Sequence, residues 1–137
     1  MIDAPLTQPM KIVSTVARIL LGVMFTVFGL NGFLHFIPSP AFPPGYLMDF
    51  FTAIVGSGFY VMLFGVQLIC GILLLIDQYV PLAIVALAAT LVNILTFHAT
   101  MNPQGFPPAI IATILWFLTA WPIRAQFAPT FARKASV

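Results

Sequence analysis

The stretch IVSTVARILLGVMFTVFGLNGFLHF, from Ile12 to Phe36, carries a single fixed charge, at Arg18. A helix needs about 20 predominantly apolar residues to cross the ~30 Å hydrocarbon core of a bilayer, and this stretch is long enough. Three more apolar stretches follow, Gly56 to Ile76, Val80 to His98 and Pro107 to Ile123. The chain of 137 residues therefore reads as one transmembrane domain with spans at about 12–36, 56–76, 80–98 and 107–123. The first stretch is too long for a signal-peptide h-region and no small-x-small cleavage site follows it, so a retained helix is expected.

Composition points the same way. Apolar residues make up 61% and charged residues 6% of the chain, with a mean hydropathy of +1.10. A soluble domain carries about 25% charge. The formal charge of +2 comes from a few flanking basic residues and gives no footprint for nucleic acid. Cys70 stands alone inside the second stretch, which excludes an internal disulfide or a CxxC redox pair.

Charge placement gives a topology. Lys11 and Arg18 lie at the start of the first span, and Arg124, Arg133 and Lys134 follow the fourth. The loops between spans one and two and between three and four hold no Lys or Arg. Basic residues stay on the cytoplasmic side, so both termini are expected there, in a bacterial-type cytoplasmic (inner) membrane.

The connections are punctuated by helix breakers. Pro38, Pro40, Pro43, Pro44 and Gly45 stop the first helix. Leu47, Phe50, Phe51, Ile54 and Val55 then recur at helical spacing and predict a short interfacial helix over about 46–55. Pro81 sits in the first turn of span three, where its missing N–H costs least. Pro122 is expected to end or kink span four. Gly22, Thr26 and Gly29 form one stripe of small residues, and Ala83, Ala86, Thr90 and Asn93 form another. Small residues let helix backbones approach closely in lipid. The expected fold class is all-α, an integral membrane antiparallel four-helix bundle.

Any chemistry must come from the few polar residues at membrane depth, which are expensive there and face a bundle interior or a cavity. They are Asn31 and His35 on span one, Gln67 on span two, and Asn93 and His98 on span three. Asn31 and His35 are four apart and are expected to share a helix face. Asn93 and His98 are five apart, so at most one of them points fully at a common centre. Three readings stand. In the first, each side chain bonds a neighbouring helix or caps a turn. In the second, the cluster holds a quinone-like molecule, with Phe28, Phe33, Phe97 or Trp116 along its ring. In the third, His35 and His98 ligate a haem b, which also requires an interhelical gap of the right width. Two His and one distant Cys are too few for a tetrahedral metal site. At the other end Arg18, Asp77 and Arg124 lie near the cytoplasmic interface, and Arg18 with Asp77 is expected to form a structural ion pair. The chain holds no Glu, no nucleophile–base arrangement and no phosphate loop, which leaves little for self-contained hydrolysis.

Arg18-Ile19-Leu20-Leu21-Gly22 followed by Phe28-Gly29-Leu30-Asn31-Gly32-Phe33-Leu34-His35-Phe36 resembles the first span of the DoxX-like membrane proteins. Gly65-Val66-Gln67-Leu68-Ile69-Cys70-Gly71, and then Val92-Asn93-Ile94-Leu95-Thr96-Phe97-His98 with Asn102-Pro103-Gln104-Gly105, resemble later parts of the same family. The resemblance runs from about Val16 to Phe127. It implies a four-helix membrane fold associated with quinone-linked oxidoreductase complexes. Gln67 stands where many members carry Glu, which removes a candidate intramembrane proton carrier. Asp77 stands near where a basic residue often follows span two.

Two functions follow as expectations. One is a membrane subunit of a quinone-linked redox complex, holding a quinone-like molecule near Asn31, His35, Gln67, Asn93 and His98. The other is a non-catalytic accessory or assembly subunit of a larger membrane complex. Both imply contact with membrane lipid and with other membrane subunits or further copies of the chain.

Overall fold

The computed structural model describes residues 6–134. Those residues form five α-helices and no strand. The helices are α1 (Gln8–Leu34), α2 (Tyr46–Ser57), α3 (Tyr60–Leu75), α4 (Val80–Thr100) and α5 (Phe106–Ala120). A 3₁₀ turn, Pro103–Gly105, leads into α5, and a longer 3₁₀ segment, Trp121–Phe131, continues from it.

Each boundary has a local cause. Pro9 sits in the first turn of α1, where no N–H is needed. At the other end His35 takes a left-handed conformation (φ 51°) and its N–H bonds the Asn31 carbonyl at 2.9 Å. A left-handed residue at this position is a common helix stop. Gly45 (φ 144°) opens α2 and Gly58 (φ 75°) closes it, each in backbone territory that only glycine enters cheaply. Asp49 in the first turn of α2 complements the positive end of the helix dipole. The α3–α4 connection is tight, with Asp77 (φ 56°) and Tyr79 (φ 51°) both left-handed.

Length and hydropathy mark three segments as able to cross a membrane. They are α1 at mean hydropathy 2.0, α4 at 2.2 and Pro103–Phe131 at 1.6. At ~1.5 Å per residue, the 16 residues of α3 reach about 24 Å, short of a hydrocarbon core. With α2 it makes a pair bent by 85°, and counting that pair as one span gives four. The apolar stretch expected to be helical from Gly56 forms α3 only from Tyr60, because Gly58 breaks the helix there. The fourth loses α-geometry at Trp121, next to Pro122.

α3 and α5 each pack against both α1 and α4, which puts α1 and α4 at opposite corners. Leu21 and Phe25 of α1, Cys70 and Leu74 of α3, Ala83, Ile84, Leu87 and Leu91 of α4, and Ala112 of α5 form one continuous core. The α1–α3 contact is the closest. A Cβ placed on Gly29 would fall 2.6 Å from the Leu68 nitrogen, and one on Gly71 would fall 2.5 Å from the Thr26 nitrogen. Only hydrogen fits at either position, so the two backbones touch directly. The outer surface is as apolar as the core: Ile12, Val23, Ile69, Val92, Ile114 and Phe117 are all exposed. Exposed apolar faces on every long helix are what a bilayer would cover.

Candidate functional site

Polar side chains gather at the two ends of the structure, and the two sets behave differently. At the end formed by the C-termini of α1 and α4, Asn31 is half-buried and its Oδ1 accepts the N–H of Ile37 at 2.7 Å. This amide ties down the chain just after the helix stop. α1 ends at Leu34, so His35 lies beyond the helix with a left-handed backbone and an exposed imidazole.

Gln67 is 9% exposed, and its Nε2 donates to the Leu63 carbonyl one turn back at 3.2 Å. Asn93 does the same with Ala89 at 2.9 Å, but from the exposed face of α4. His98, half-buried in the last turn of α4, points Nδ1 at the Asn102 carbonyl at 2.9 Å. A carbonyl only accepts, so in neutral His98 the proton sits on Nδ1 and Nε2 keeps its lone pair. The ring fills the space that a side chain at Gly105 would take. It meets Phe97 edge-on at 5.0 Å and Phe106 at 6.3 Å. Phe97 in turn contacts Phe50 at 5.3 Å and Phe51 at 5.9 Å, so aromatic rings join α2 to α4 and α5.

Among the described residues none of Asn31, His35, Gln67, Asn93 and His98 hydrogen-bonds another of the five. Asn93 leaves the set altogether. Of the two histidines considered as haem ligands, His35 lies beyond the end of α1, and the ring of His98 is seated against Gly105. Of the aromatic residues expected beside a ligand, Trp116 is committed elsewhere: its indole N–H donates to the Ile84 carbonyl at 2.9 Å and ties α5 to α4. No three His, Cys, Asp or Glu side chains gather among the described residues.

At the opposite end Arg18 and Asp77 pair at 3.4 Å. Arg18 is 15% exposed and Asp77 66%, so water screens the pair and its worth is at most about 1 kcal/mol. Arg18 also donates to the Leu74 carbonyl in the last turn of α3. Gln78, which would continue the helix to that carbonyl, bonds Leu73 instead at 3.0 Å. The guanidinium therefore caps a helix C-terminus, where a cation is favoured. Ser14, Thr15, Tyr79, Thr119 and Gln126 join Arg18 and Asp77 around a cleft of about 400 Å³. The sequence signal for this cleft is the run Ser14, Thr15 and Arg18, which share one side of α1. Thr119 and Gln126 become part of it only through the packing of α5 and the 3₁₀ segment. Arg124, by contrast, lies over the Trp121 ring at 4.7 Å and bonds the Trp121 carbonyl.

No family model, no curated protein and no solved structure matches this chain.

Proposed function

We propose that the chain is a non-catalytic accessory or assembly subunit of a larger complex in a bacterial-type cytoplasmic membrane. In this reading it spans the bilayer as an antiparallel four-helix bundle with both termini cytoplasmic, and α2 lies in the opposite interface. One observation carries it. Asn31, Gln67, Asn93 and His98 each bond backbone of their own helix or the adjoining loop and none bonds another of the set, so they do not converge on a reacting centre. Native mass spectrometry of the protein extracted gently from its own membrane tests this. A stoichiometric protein complex with no bound small molecule is expected; turnover of a substrate by the isolated chain would sink the reading.

A second reading, a DoxX-like subunit of a quinone-linked redox complex, draws on His98. Its free Nε2 lone pair beside Phe97 and Phe106 suits the hydroxyl of a reduced quinol, because a quinone carbonyl would need a donor. An added mass of a quinol that disappears in His98→Ala, with helix content unchanged, would favour it over the first.

A further inference from the structure

The outward face of α4 carries Val85, Ala89, Val92, Asn93, Thr96 and Thr100, all exposed. Ala89, Asn93, Thr96 and Thr100 follow at four-, three- and four-residue steps, the spacing of a seam that meets another helix. Asn93 is the residue that does not belong on a lipid-facing surface. Its Nδ2 gives one hydrogen to the Ala89 carbonyl; the second hydrogen and Oδ1 have no partner among the described residues. Asn93 lies about 20 Å along a helix about 31 Å long, well inside the hydrocarbon if α4 crosses it. Polar groups at that depth turn towards a partner.

Thr96 and Thr100 differ from Asn93 in this respect. Each hydroxyl donates to the carbonyl four residues back at 2.8 Å, so neither has a donor to spare. Asn93 alone on this face keeps both a donor and an acceptor. An amide so placed is complementary to a copy of itself. Two copies inserted with the same topology present α4 in parallel, with Asn93 at equal depth, and a two-fold axis along the membrane normal lets each amide donate to the other. Ala89 and Thr96, small and one turn to either side, allow the backbones to approach. An unrelated partner would need its own polar side chain at this depth, whereas a second copy brings a matching donor and acceptor automatically.

We infer that the outward face of α4 is a homodimer interface, centred on a reciprocal Asn93–Asn93 amide pair. The inference rests on α4 crossing the bilayer and goes beyond the role as an accessory subunit. Its test is the full chain in phosphatidylcholine vesicles, first washed with alkaline carbonate, then titrated with lipid while dimer is read by energy transfer between fluorescently tagged copies. Retention after the wash and a dimer are expected. Asn93→Leu should weaken dimerisation about tenfold and Asn93→Gln should hold it. In a Cys70→Ala background, Ala89→Cys should cross-link between copies, while Ile110→Cys, exposed on α5, should not. Release by carbonate would sink the spanning reading itself. A monomer retained in the bilayer, a dimer indifferent to Asn93→Leu, or equal cross-linking at Ile110→Cys would overturn the interface alone.

Discussion

The α1–α3 seam and the outward face of α4 are built from similar residues and end in opposite states. Gly22 and Thr26 on α1 meet Gly71 on α3, and Gly29 meets Leu68, with backbone against backbone, and the contact is closed within the chain. On α4 the small residues diverge: Ala83 is fully buried, Ala86 and Thr90 are half-buried, and Asn93 is exposed. Helical drift explains the split. At ~3.6 residues per turn, positions ten apart differ by about 80° in direction, so Ala83 and Asn93 do not share a face. A small residue permits close approach; only the backbone that arrives opposite it makes a seam.

The largest expected effect breaks the closed side of this comparison. In Gly71→Val the new Cβ would meet the Thr26 backbone at 2.5 Å, and backbone cannot swing aside as a side-chain tip can. A loss of about 3 kcal/mol is expected, read as a lower midpoint in SDS-driven unfolding. In dilute detergent, where copies are apart, Ala89→Val on the outward face should shift the same midpoint by less than about 0.5 kcal/mol. Equal shifts would mean that the two surfaces do not differ as described.

Arg18→Met comes next. It removes the charged donor from the Leu74 carbonyl, which no backbone N–H replaces, and about 2 kcal/mol is expected. Asp77→Asn should cost no more than about 0.5 kcal/mol, since Asp77 is 66% exposed. If the two substitutions cost the same, the ion pair rather than the helix cap holds this end of the seam.

Much of the fold was legible because hydropathy and breakers act locally. Runs of apolar residues, Gly45 and the prolines mark helix ends without reference to the rest of the chain. The site was less legible, for a physical reason at each residue. Four-residue spacing puts His35 on the face of Asn31 only within a continuous helix, and a left-handed stop at that residue ends the helix first. Depth groups Asn93 with His98 but says nothing about direction. The cleft between Arg18 and Thr119 joins residues about a hundred positions apart, which no local spacing encodes. Arg18 and Asp77 could be matched beforehand because a basic and an acidic side chain at one end of neighbouring helices have few other partners there.

The smallest folding effects belong to the two sides of α4 itself. Trp116→Phe deletes the indole donor to the Ile84 carbonyl on the inward side while keeping an aromatic ring. That carbonyl still accepts within α4, so only about 1 kcal/mol is expected from the same SDS titration. Thr96→Val, nearly isosteric on the outward side, loses only a hydroxyl bonded to its own helix at Val92. Ser and Thr bonds of this kind compete with helix geometry rather than reinforce it, so the shift should stay within about 0.5 kcal/mol of zero. The pair separates inward from outward within one helix. A larger loss for Thr96→Val than for Trp116→Phe in dilute detergent, where copies are apart, would place the intramolecular contact of α4 on the wrong side.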